Sequence, residues 1–166
     1  NESAYSVILA GNPLNYVDGL NVTVGYENAE QRGNAGKTGP QTDAESVTAA
    51  ISYAYGPATF GFQRGYRDEG LEGQQNAGAT TAQYYNNTYY GIAYAVNDAL
   101  SVSYQRAESD QKLGTGETRT QEADGYSVAY TMGGMTVSYY TNSVDNANYT
   151  VGNTQDNSGV IVSVAF

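Results

Sequence analysis

The chain has no cysteine, no histidine and no tryptophan, and only 3 prolines. Without histidine or cysteine, histidine-based triads and cysteine nucleophiles are excluded. The lack of cysteine is compatible with an oxidising compartment, where stray thiols are a hazard. Basic residues are scarce: 7 Lys and Arg stand against 17 Asp and Glu, for a formal net charge of −10. That balance excludes the basic footprint of a nucleic-acid binder. It also excludes the polybasic patch that holds a protein to an anionic membrane surface. No apolar run approaches the roughly 20 residues of a transmembrane helix. This excludes a helical membrane protein but not a β-barrel, whose strands carry apolar residues only at alternate positions. Leucine is sparse, and no helical register of Leu, Ala, Glu and Lys is visible.

Other chemistry is missing as well. No Gly-rich phosphate loop with a following Lys-Ser/Thr occurs, and the Gly-x-Gly of Gly114 and Gly116 reads as a turn in a polar stretch. Asp68 and Glu69 are adjacent loop acids with no strand geometry to poise them as acid and base. The runs 143–148 and 154–157 hold Asp145, Asn146, Asn148, Asp156 and Asn157. These lack the ordered ligand spacing of a calcium loop and read as solvated loops. The expectation is a protein that is not an enzyme, with no catalytic residue, no metal site and no cofactor.

What is present is tyrosine, used 17 times, and glycine, used 20 times, with abundant Val, Thr and Ser. These are the residues of strands and turns. Apolar residues recur at every second position, as in Tyr126, Val128, Tyr130 and Met132, or Leu20, Val22, Val24 and Tyr26. Period two predicts strands with one apolar face and one polar or small face. Nine are predicted: Ala4–Ala10, Leu20–Gln31, Ser46–Tyr55, Ala58–Arg67, Ala82–Val96, Leu100–Glu108, Asp124–Met132, Met135–Asn142 and Gly159–Phe166. Connections alternate between short (Asn12 to Gly19, Gly56–Pro57, Val96 to Ala99, Gly133–Gly134) and long (Arg32 to Glu45, Asp68 to Thr81, Ser109 to Ala123, Ser143 to Asn157). That is the arithmetic of an all-β, antiparallel up-and-down transmembrane barrel with tight turns at one rim. No domain boundary is visible, so residues 1–166 read as a single barrel region.

Bacterial single-chain barrels have even strand counts. Nine strands therefore predict the C-terminal part of a larger barrel. If the first set is not a strand, an eight-stranded barrel follows instead. The chain starts at Asn1 with neither initiator Met nor signal peptide, so a processed or truncated chain is expected.

Alternation alone also suits a soluble sandwich, so the faces decide. Tyr26, Tyr53, Tyr55, Tyr104, Tyr126 and Tyr139 fall near the ends of apolar runs. That is the place of an aromatic girdle at the lipid–water interface. The opposite face is Gly, Ala, Ser and Thr. Its predicted pore-lining residues are Thr23, Glu27, Ser52, Gln63, Arg67, Ser103, Gln105, Ser127, Thr131 and Ser138. Arg67 and Glu27 are the candidate wall charges. Arg64 has the parity of Phe60 and Phe62, which points a cation toward lipid unless a bulge or a rim position intervenes. The end of the chain, Val160, Val162, Val164 and Phe166, matches an insertion signal that barrel-insertion machinery reads by β-augmentation.

The segment 12–20 leading into Val22, Val24, Gly25 and Tyr26, the stretch 125–138, and the end 159–166 together resemble the general diffusion porins of Gram-negative outer membranes, in particular those of alphaproteobacteria. The resemblance is one of pattern over nearly the whole chain. It implies a sixteen-stranded barrel in the bacterial outer membrane, a homotrimer, and passive diffusion of small polar solutes and ions through a water-filled lumen. It also implies an inward-folded third loop, which no residue here matches. Two other readings remain open: a small eight-stranded barrel with an interaction or anchoring role, and a secreted adhesin or lectin sandwich. The sandwich requires Val22, Val137 and Val162 to face a dry core.

Overall fold

A computed structural model describes residues 3–13, 17–30, 43–68, 70 and 82–165. Nine strands form one sheet in sequence order: β1 (Ala4–Gly11), β2 (Leu20–Ala29), β3 (Ala44–Tyr55), β4 (Ala58–Asp68), β5 (Ala82–Ala95), β6 (Leu100–Leu113), β7 (Thr118–Met132), β8 (Met135–Asp145) and β9 (Gln155–Val164). Every neighbouring pair is antiparallel. Among the described residues, β1 and β9 are each paired on one side only. The fold is the predicted all-β up-and-down meander, and the first apolar set is a full strand, in register with β2 from Ala4↔Ala29 to Gly11↔Val22.

The short turns fall where glycine permits them. Gly56 and Gly133 take φ of 55° and 60° in two tight hairpins. Gly19 has φ 79°, and a Cβ there would lie 2.3 Å from the Ala54 carbonyl oxygen. Only glycine fits both conditions.

The long-loop side departs from expectation. The sequence predicts an open loop from Ser109 to Ala123, but β6 and β7 continue past both residues to a turn at Gly114–Gly116. The reason is that both faces of the ladder are polar there, so period two in hydropathy vanishes while backbone pairing persists. Lys112 donates to the Gly116 carbonyl and to Thr118 Oγ1, closing the tip. Likewise β8 runs on to Asp145 and β9 starts at Gln155, leaving a compact loop with a 3₁₀ turn at Ala147–Tyr149. Gln31, Phe166 and most of the first two long loops lie outside the described residues.

Little of the molecule is a dry core. Among described apolar residues only Leu113 and Ala147 are buried. Val162 is 57% exposed, and Val22 and Val137 are only half-buried. The sandwich reading needed these side chains to be packed inside, and a single-layer sheet cannot do that.

Candidate functional site

Register assigns every strand residue to one of two faces, because directly paired residues share a side and neighbours along a strand alternate. One face carries Val24, Ala49, Ile51, Phe62, Tyr90, Ile92, Val102, Val128, Val137 and Val162. All six girdle candidates, Tyr26, Tyr53, Tyr55, Tyr104, Tyr126 and Tyr139, lie on it, as do Val160, Val162 and Val164. Phe166, the last residue of the candidate insertion signal, is outside the described residues.

All ten wall candidates lie on the other face. Thr23 pairs Ala50, which pairs Gln63. Glu27 pairs Ser46, which pairs Arg67. Ser52 stands beside Gly61, and Gln105 beside Gly91 and Gly125. Ser103 and Ser127 share a hydrogen bond of 2.7 Å, and Thr131 and Thr136 one of 2.9 Å. Ser138 pairs Ala129. This face is concave. Residues from β2 through β8, among them Thr23, Ser52, Gln63, Gln105 and Asn142, line a single concavity of about 790 Å³.

The tyrosines of the apolar face reach polar partners. Three on the apolar face donate their hydroxyls to carboxylates: Tyr26 to Glu45 at 3.2 Å, Tyr66 to Asp68 at 3.1 Å, and Tyr104 to Asp124 at 2.6 Å. Each of those strands is apolar on one side of the ring and polar on the other. Rings contact across strands at Tyr5–Tyr26 (6.0 Å) and Tyr104–Tyr126 (4.9 Å).

The line of rings also runs obliquely to the hydrogen-bonded rows. Tyr66 shares the row of Tyr26 through Val47. Following that row through Asn86, Asp110 and Thr120, Tyr90 stands four positions nearer the short turns and Tyr104 and Tyr126 six. Extending the β7–β8 register places Tyr139 eight positions nearer, six strands from Tyr26. With about 3.3 Å per residue and about 4.8 Å between strands, that drift corresponds to a strand tilt of about 42° if the girdle is level in the bilayer. Transmembrane barrels tilt their strands by about 35–45°.

Arg64 is on the apolar face, opposite Ala49 and Thr88, with no register shift in β4 to turn it inward. It stands between Tyr66 and the row of Phe62 and Tyr90, which is girdle height. No bulge turns it inward, and its row stands beside the tyrosines.

Charge is sorted as well. Most described acids of β3–β9 lie on the convex face beyond the girdle: Glu45, Asp68, Glu108, Asp110, Glu122, Asp124, Asp145 and Asp156. Arg106 sits among them, 2.7 Å from Glu122 and 3.0 Å from Asp124. On the concave face the described strand residues carry only Glu27, Arg67 and Arg119, all in one row near the long-loop rim. Arg119 is tied to Glu117 at 2.9 Å, and this partner holds the Glu117 carboxyl below its ordinary range.

Wall residues beyond the predicted set include Tyr85, Tyr89, Tyr140, Asn87 and Asn142. Parity could have found Tyr89, which alternates with outward Tyr90. The loop after β8 folds onto this face. The Tyr149 ring packs at a tilt against Tyr85, 5.7 Å between centroids, and its hydroxyl shares a 2.7 Å hydrogen bond with Ser109. Partial burial raises the pKa of the Tyr149 hydroxyl. Asn148 N–H donates to Gln121 Oε1 at 2.8 Å, and Asn146 Nδ2 to the Thr120 carbonyl at 3.2 Å. The loop's Asn and Asp side chains thus serve its own folding, and among the described residues no cluster of three acids is arranged to hold a metal ion.

No family model matches the chain, and no curated protein matches it. Among solved structures it is similar to OmpT, an outer membrane protein of Vibrio cholerae, folded in vitro. The TM-score is 0.65 at 14% identity, over 97% of this chain and 55% of that one. The chain therefore spans little more than half the length of that protein. At this identity the likeness is one of fold, and the chain has the strand architecture of an outer-membrane β-barrel.

Proposed function

We propose that this chain forms part of the wall of a porin in the bacterial outer membrane, a water-filled pore for passive diffusion of small hydrophilic solutes and ions. The observation that carries the reading is the opposition of the two faces: the convex face is apolar and bounded by tyrosines, and the concave face is polar and open. In hydrocarbon every backbone N–H and C=O must be paired within the protein. The free sides of β1 and β9 therefore call for further strands, and closure at sixteen would take about seven more. A barrel of that size leaves a lumen that side chains cannot fill. Homotrimer assembly and recognition by barrel-insertion machinery follow from the family resemblance and belong to the same proposal.

The small eight-stranded barrel gains no support. It required the first apolar set not to be a strand, whereas β1 is fully paired with β2. It also required a filled interior, whereas the concave face is open.

The test is electrical. The full-length protein, purified in detergent and added to planar bilayers, is expected to insert in steps of uniform, weakly selective conductance. A full-length protein that inserts but never conducts refutes the pore.

A further inference from the structure

We propose that the concave wall carries a subsite for an uncharged, polyhydroxylated solute, a saccharide, built on the ring of Tyr89. The proposal deepens the pore reading and rests on it.

A wall that only has to stay wet needs Ser, Thr, Gly and small amides, which most of this face supplies. Large rings take up pore cross-section and call for a reason. Two of the three wall tyrosines have one. The Tyr140 ring lies over Gly159, where a Cβ would come within 2.8 Å of its hydroxyl. Tyr85 packs at a tilt against Tyr149 and accepts a 3.1 Å hydrogen bond from Gln111 Nε2. Tyr89 has neither: it is 43% exposed, and among the described residues its ring has no aromatic partner and its hydroxyl no hydrogen bond.

Its neighbours leave it open and equip it. Gln63 stands directly across on β4, with Gly61 and Gly65 on either side of Gln63. A Cβ on Gly61 would meet nothing within 4 Å, so the wall beside the ring is clear. Gln63 donates to Thr48 Oγ1 at 3.3 Å, which leaves its carbonyl oxygen to accept from a guest. On the far side Gln105 pairs with Gly91, two residues along from Tyr89. Tyr89, Gln63, Gly61, Gly91 and Gln105 line the same concavity.

Charge selects the guest. Arg106 and Asp124 also border the concavity, but they belong to the convex face and are spent on each other at 3.0 Å. The nearest wall cation on β4, Arg67, is four residues from Gln63, roughly 13 Å along the strand. Among the described residues a phosphate, carboxylate or amine therefore finds no countercharge beside Tyr89. A sugar ring matches the site on both counts: its C–H face suits the face of tyrosine, and its hydroxyls suit the two glutamine amides.

The probe is maltohexaose, added at millimolar concentration to bilayers containing the full-length protein, with a polyethylene glycol of similar size as the steric control. Wild-type conductance is expected to fall saturably with maltohexaose. Tyr89→Ala raises the half-blocking concentration about five-fold or more, the loss expected when one stacking face is removed. Tyr89→Phe, which keeps the ring, stays within about two-fold of wild type. Gly61→Leu, which fills the space beside an intact ring, weakens the block as Tyr89→Ala does. Entry of the glycol is the same in all four proteins. A pore that maltohexaose does not block, a block indifferent to Tyr89→Ala and Gly61→Leu, or a change the glycol shares overturns the subsite and leaves the pore standing. Absence of conductance in the wild type overturns the pore itself.

Discussion

Ile51 and Ala50 are neighbours on β3 and face opposite ways. Ile51 lies between Val22 and Phe62 on the convex face, six residues from Glu45 at one end of the apolar run and four from Tyr55 at the other. Ala50 lies between Thr23 and Gln63 in the concavity. Arginine at position 51 must put a guanidinium near the middle of the apolar band. Such a placement in a barrel costs about 2–4 kcal/mol, falling to about 0–1 kcal/mol near the interfaces. At position 50 the same side chain enters water and costs about 0–1 kcal/mol. Urea unfolding of the full-length protein in phospholipid vesicles should thus separate Ile51→Arg from Ala50→Arg by about 2–3 kcal/mol, a factor of roughly a hundred in the folding equilibrium. A second reading is independent of stability. Ala50→Arg adds a cation to the wall and is expected to shift the reversal potential toward anions, while Ile51→Arg leaves it unchanged. If Ala50→Arg is the more damaging substitution, or if Ile51→Arg is the one that changes selectivity, the assignment of faces is wrong.

Gly19→Ala is expected to destabilise by at least about 2 kcal/mol in the same urea assay, since it forces a Cβ into a left-handed residue and against the Ala54 carbonyl; a loss under about 0.5 kcal/mol contradicts the turn geometry. Glu117, paired with Arg119 and depressed by it, is expected to titrate below an ordinary glutamate in carboxyl-carbon NMR and to return to the ordinary range in Arg119→Gln. Because the folded value is lowered, the pair's contribution is complete above the ordinary glutamate range and is lost as pH falls through the depressed value; an unshifted midpoint speaks against the pair. Polarised infrared spectra of oriented bilayers are expected to give a mean strand tilt near 40°. A tilt below about 25° disconnects the oblique line of tyrosines from the membrane plane.

Strand number, direction and facing were legible because one face of each strand is apolar and the other polar or small. Val22, Val24 and Tyr26 alternate with Asn21, Thr23 and Gly25, and hydropathy records that directly. Beyond the girdle both faces meet water and the record stops. Hence the paired segments 109–113 and 118–123 read as loop, although β6 and β7 hold their register from Ser109↔Gln121 to Lys112↔Thr118. Arg64 was the instructive ambiguity: parity put it on the lipid face, but its height was unknowable until the register located Tyr66 and Tyr90 on either side of it. The inward loop at Ala147–Tyr149 had no signal at all. Its shape depends on left-handed Asn146, Asn148 and Tyr149 and on hydrogen bonds to distant β6 and β7.

The net charge of −10 invites the conclusion that such a pore prefers cations, and the register argues otherwise for this part of the wall. The convex face toward the long loops holds Glu108, Asp110, Glu122, Asp145 and Asp156, on the side of the sheet away from the concavity. A solute in the concavity responds instead to the groups on its own side. There, among the described strand residues, Arg119 is paired with Glu117, and Glu27 and Arg67 stand two strands apart in one row with opposite signs. Selectivity by sign, on this reasoning, belongs to the few charges that share the lumen, and composition does not report it. Glu27→Gln should then move the reversal potential further than Asp145→Asn, although both remove one negative charge, and equal shifts would show that the outer acids reach the pore after all.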